Sequence, residues 1–141
     1  MMAGGEDERV LAANEAFYAA FNAKDAEAMD AVWSRSDDVA CVHPSWNLLQ
    51  GREQVMGSWR AILGNADQPR IVAGGASARV LGDLAYVLCR ELVAGSPLTV
   101  TNVFTLEGGE WRMIHHHSSP VAFAGEMPAG DPDPLSPYER A

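Results

Sequence analysis

The sequence predicts an α+β domain, with N-terminal helices packed in the hollow of a curved antiparallel sheet. Three observations predict it. Apolar residues recur at steps of three and four up to about residue 63. Four long runs rich in Val, Leu and Thr follow from residue 70 onward. The turns between those runs are too short for anything but antiparallel hairpins.

The elements follow in order. From Glu6 to Ala23 the stripe Val10, Asn14, Phe17 and Phe21 marks a helix, and Glu6, Asp7 and Glu8 suit its N-terminal dipole. Asp25 can cap a second helix carrying Met29, Val32 and Trp33. "VACVHP" (39–44) reads as a short strand stopped by Pro44, and "SWNLLQG" as a connection. Gly51 precedes a third helix over 52–63. The strands are expected at 70–81, with a bend or bulge at Gly74-Gly75, and at 84–93, 98–107 and 110–119. The domain is expected to span 6–122. Residues 1–5 read as disordered, and 123–141 as a flexible tail rich in proline.

The net charge of −9 opposes binding to phosphate backbones and anionic membranes, so neither nucleic acid nor membrane is an expected partner. No stretch is long and apolar enough to span a bilayer, and "MMAGGEDE" lacks the features of a signal peptide, so the cytoplasm is the expected location. Cys41 and Cys89 lie in apolar runs and read as buried thiols. No cofactor-binding motif is present, and no cofactor is expected.

The stretches "AFYAAFNAKDAEAMDAVWS", "VHP", "LLQGREQVMGSW" and "VTNVFTLEGGEWRMIHHHSSP" occur in an order and spacing that resembles the NTF2-like superfamily. The nearest branch is the SnoaL-like and DUF4440-type proteins related to ketosteroid isomerase. The resemblance runs from about residue 8 to about residue 120. It implies a cone-shaped fold, a pocket between sheet and helices, and a homodimer formed through the outer face of the sheet. It also argues against steroid isomerisation. Where such isomerases carry an aspartate before a proline, this chain has His43 before Pro44. Where they carry a first-helix tyrosine, it has Phe17, with Tyr18 about a third of a turn away.

The run His115-His116-His117 holds three of the four histidines. Simple strand alternation puts Trp111, Met113, His115 and His117 on one face and His116 on the other. A two-residue turn at Gly108-Gly109 sets Leu106 opposite Trp111, Phe104 opposite Met113 and Asn102 opposite His115. That apolar face with a few polar groups has the composition of a ligand wall. A one-residue slip would swap the faces. A purification tag does not fit an internal run of three, and a metal site would need His43 beside His115 and His117 with no acidic or cysteine ligand at a recognisable spacing.

Packing with hydrogen-bonded partners and proton handling on a ligand both remain open. One reading is therefore a small apolar ligand in a pocket of a cofactor-free isomerase, cyclase or lyase. His43, His115 and His117 would move protons, and Phe17, Trp46, Trp59, Asn102, Phe104 and Met113 would form the wall. The other is a non-catalytic ligand-binding or dimeric association module.

Overall fold

The computed structural model describes residues 5–122. The chain runs α1 (Gly5–Asn22), α2 (Ala26–Val32), β1 (Ala40–Val42), β2 (Leu49–Gln50), α3 (Arg52–Leu63), β3 (Ile71–Leu81), β4 (Leu84–Val93), β5 (Ser96–Glu107) and β6 (Glu110–Pro120). Gly5, expected in a disordered segment, begins α1; the rest of that segment and the expected tail over 123–141 lie outside the described residues.

The helices form where local chemistry supports them. In α1 the stripe Val10, Asn14, Phe17 and Phe21 is buried, together with Tyr18 and Ala20. Asp25 caps α2 by accepting from the Ala28 N–H at 3.0 Å. Gly51 enters α3 at φ +86°, where a Cβ would meet Asp37 Oδ1 at 3.2 Å. That same Asp37 oxygen accepts from the Arg52 N–H at 2.8 Å, so aspartate and glycine together start the helix.

The six strands form one mixed, unclosed sheet in the order β2-β1-β6-β5-β4-β3. Strands β3 to β6 are the expected antiparallel meander, and β1 lies parallel to β6. Leu49–Gln50, expected as a connection, pairs with β1; two residues are too few to show a period. The β5–β6 turn is the expected one, with Gly108 and Gly109 both at positive φ, as a two-residue hairpin turn requires.

Two irregularities bend the sheet. The register shifts between Gly74 and Ser77, where the glycine pair suggested it. A second shift falls between Val103 and Phe104: Phe104 faces Met113 but Val103 faces His115, so Ile114 is an extra residue in β6.

The narrow end of the cone is filled by aromatic side chains. Phe17, Trp33, Phe104, Met29 and Met113 are fully buried. Phe17 packs edge-on to Trp59 at a centroid distance of 5.4 Å. No helix among the described residues is long and apolar enough to cross a membrane.

Candidate functional site

The bulge at Ile114 inverts the expected faces of the histidine run. Beyond it, Asn102 opposes His116 instead of His115. His116 is buried at 3% exposure, while His117 is exposed and His115 only half-buried. The expectation that His115 and His117 look into the cone is therefore corrected: one inserted residue shifts the alternation by one, and the middle ring turns inward. His115 instead bonds through Nδ1 to the Ala40 carbonyl of the adjacent strand at 3.1 Å. The trio considered for a metal, His43 with His115 and His117, does not meet. Among the described residues no group of three His, Cys, Asp or Glu side chains could hold a metal ion.

His43 does face inward, because Cys41 and His43 alternate to the inner side of β1 and the segment after it. Its Nε2 lies 2.8 Å from Ser58 Oγ on α3. That hydroxyl donates to the Val55 carbonyl at 2.7 Å, so it accepts from His43. Nε2 thus carries the ring proton, and Nδ1 is the basic atom. Burial lowers the His43 pKa to about 4, which keeps the ring neutral.

His116 is fixed in the opposite tautomer. Its Nδ1 donates to Asn102 Oδ1 at 2.6 Å, and Asn102 Nδ2 donates to Asn14 Oδ1 at 2.8 Å. Its Nε2 is then the free lone pair. Burial, reinforced by His43, His115 and His117, holds its pKa well below the usual imidazole range. The two rings stand 6.4 Å apart, with Trp59 between 4 and 6 Å from each.

A third polar group comes from β4. Glu91, 2% exposed, accepts from the Tyr18 hydroxyl at 2.6 Å and from Ser118 Oγ at 3.0 Å. Burial raises its pKa. Tyr18 is raised as well, by burial and then by the nearby carboxyl.

These groups line one cavity of about 440 Å³ at the open end of the cone. His43, His116 and Glu91 supply the buried part of its polar wall, which Gln68 and Ser96 extend. Trp46, Trp59, Ile71 and Leu98 supply much of its apolar wall, and no lysine or arginine lines it. Trp46 is the half-exposed rim, stacked edge-on against His43 at 4.8 Å. Trp59 Nε1 is buried without a hydrogen-bond partner. A slightly larger groove of about 490 Å³ lies between α1, α2 and the start of β6, but alanines dominate it and its charged groups, Asp25, Glu110 and the half-buried Arg112, gather no buried polar cluster, so it offers no comparable chemistry.

Of the expected wall residues, Trp46 and Trp59 line the cavity. Phe17, Asn102, Phe104 and Met113 do not; the aromatic packing fills the cone there, and Asn102 sits behind His116 as its hydrogen-bond partner. His116, Glu91 and Tyr18 were not among the expected site residues. The bulge concealed His116. Glu91 gave a usable sign: it is an acid on the inward-facing positions Ala85, Val87 and Cys89 of β4.

A mixed, curved sheet wrapped on three helices, open at one end onto a buried polar cluster, defines an α+β cone of the NTF2-like superfamily. Within it, residues 10–123 match the SnoaL-like domain family, and the chain belongs to that family. It is similar to a candidate dehydratase of the NTF2-like family from Streptomyces avermitilis, at 32% identity over 84% of this chain and 97% of that one, with a TM-score of 0.78. It is also similar to a candidate calcium/calmodulin-dependent protein kinase type II association domain from Thiobacillus denitrificans, at 36% identity over 79% and 94% of the two chains, with a TM-score of 0.72. The F-box protein SKIP8 of Arabidopsis thaliana is 32% identical over 112 residues, 78% of this chain but only 48% of that relative.

Proposed function

We propose that the cavity binds a small, mainly apolar molecule and that the protein is a cofactor-free isomerase, cyclase or lyase, with His43 as its base. The observation that carries this reading is the His43–Ser58 pair. It holds an imidazole at the cavity wall with Nδ1 unprotonated; burial keeps the ring neutral at neutral pH and makes it a weaker base than a free histidine. Such reactions share one opening step: a proton leaves a carbon beside a carbonyl, passes to the base, and leaves its electron pair on the carbonyl system. The dehydratase description of the Streptomyces relative belongs to the same class of chemistry.

The test begins with a thermal-shift screen of aromatic ketones, polyketide-like aromatics and sterols. Each hit is then incubated with the protein in D2O and followed by NMR. The wild type should exchange the acidic carbon-bound protons of a hit, and His43→Ala should slow that exchange at least about a hundredfold while leaving the fold intact. Exchange that survives His43→Ala would remove His43 from the chemistry.

A second reading has its own support. The outer sheet face exposes Leu81, Leu84 and Leu88, and one similar structure is described as a kinase association domain. We propose that this face pairs two copies of the chain; in a pure association module it would be the functional surface, and no hit would exchange.

A further inference from the structure

We propose that Glu91 is the buried hydrogen-bond donor of the cavity: a carboxylic acid whose O–H is offered to an oxygen of an uncharged ligand, so that the site takes neutral carbonyl- or hydroxyl-bearing molecules and rejects carboxylates. This deepens the proposed function and rests on its reading of the cavity as a ligand site.

The inference comes from an inventory of protons. Glu91 lies on β4 with its carboxyl at the cavity wall. Both neighbours that reach it are hydroxyls, Tyr18 at 2.6 Å and Ser118 at 3.0 Å, and each donates to a different carboxyl oxygen. No cationic side chain lines the cavity to balance a carboxylate there. An ionised carboxylate buried beside neutral partners is costly, and protonation is the cheaper state. The burial-raised pKa of Glu91 agrees. Tyr18 and Ser118 each donate to Glu91 in the structure, an arrangement that leaves the acid's own proton for a ligand.

The histidines supply the complementary half. His43 Nδ1 and His116 Nε2 are lone pairs, fixed by Ser58 and by the Asn102–Asn14 pair. The buried polar complement of the cavity is therefore one acidic O–H and two neutral ring nitrogens, with the half-buried Gln68 and the exposed Ser96 as further uncharged groups. An incoming carboxylate would find no positive charge and would compete with Glu91 for its proton. A ketone or alcohol finds a donor for its oxygen and pays no such penalty.

The experiment compares two probes of similar shape, 2-acetylnaphthalene and 2-naphthoate, on the full chain and on Glu91→Gln and Glu91→Leu, by fluorescence titration and by infrared spectroscopy of the bound carbonyl. The wild type should bind the ketone at least tenfold tighter than the carboxylate and lower the ketone's C=O frequency below its value in an apolar solvent. Glu91→Gln should reduce that frequency shift. Glu91→Leu should abolish it and weaken ketone binding roughly three- to tenfold, the loss of one hydrogen bond.

An unchanged carbonyl frequency in Glu91→Leu, or equal binding of both probes, would overturn the assignment while leaving the cavity reading in place. Failure of the wild type to bind either probe would overturn both. Should Glu91→Leu fail to fold, the wild-type spectrum decides. At neutral pH it must show the C=O stretch of a protonated carboxylic acid that Glu91→Gln lacks, and its absence would refute the proposal.

Discussion

The two halves of β6 alternate alike along the strand but present opposite faces to the core. From Glu110 to Met113 the register against β5 is the one that a Gly-Gly turn and simple alternation give, with Trp111 and Met113 inside. From His115 onward every side chain faces the other way, because Ile114 stands unpaired between the two halves. The interior of this protein is thus set by a backbone irregularity as much as by side-chain type. The inverted half teaches where the chemistry lies: the buried His116 belongs to the site, and the two flanking rings belong to the surface of the sheet.

The sharpest way to break this comparison is to remove the rings one at a time. His116→Ala strips a ring packed at 4.8 Å from Phe17 and leaves the buried Asn102 Oδ1 without its donor. It should cost about 2–4 kcal/mol of unfolding free energy. His117→Ala, at an exposed position, should change stability by no more than about 0.5 kcal/mol. Urea unfolding of both variants measures the difference, and equal losses would contradict the inverted faces.

A second effect follows from pH. In the unfolded chain the histidines titrate near 6.5, but His43 and His116 stay neutral in the fold to much lower pH. The unfolded state therefore gains more protons on acidification, and stability falls as pH drops below about 6.5. Glu91 acts in the opposite sense: its folded pKa is raised above 4.5, so its contribution is present at low pH and is lost as pH rises from there. Between pH 4.5 and 6.5 the histidines, His115 included in lesser degree, and Glu91 act in opposite senses. Stability should decline with acid, and less steeply than the histidines alone would make it. In Glu91→Gln the decline should steepen. Urea titrations at a series of pH values test this, and a slope unchanged by that substitution would contradict a protonated Glu91.

The smallest expected effect on stability sharpens the contrast between faces. Leu88→Glu on the outer face should alter the unfolding free energy of a protomer by no more than about 0.5 kcal/mol, yet convert a dimer to a monomer in light scattering. A wild type that is already monomeric would remove the outer face as an interface.

The sequence carried most of the architecture because its signals are local. The stripe from Val10 to Phe21, the Asp25 cap and the Gly108-Gly109 turn each act within a few residues and were readable. His43 was readable too, since Pro44 ends its strand and the inner side of β1 follows from Cys41. The parallel pairing of β1 with β6 was not, because nothing in "VACVHP" names a partner 75 residues away. Nor was the bulge: no glycine marks Ile114, unlike Gly74-Gly75, and the contact beside it, the Ser34 N–H donating to the Met113 carbonyl at 2.9 Å, joins residues far apart in the chain. Glu91 is masked by the apolar residues around it, and its place on the inward side of β4 is the one local sign of its burial.

The place of β6 between β1 and β5 has a consequence for biosynthesis. The strand that delivers His116 and Ser118 is the last to leave the ribosome among the described elements, and it must be inserted between partners made earlier. Until it docks, His43 has no ring opposite it and Glu91 lacks one of its two hydroxyls. A molecule that recognises the cavity therefore meets only an incomplete wall until β6 is in place. By mass action it would favour only the finished protein, acting as a selective stabiliser of completed chains.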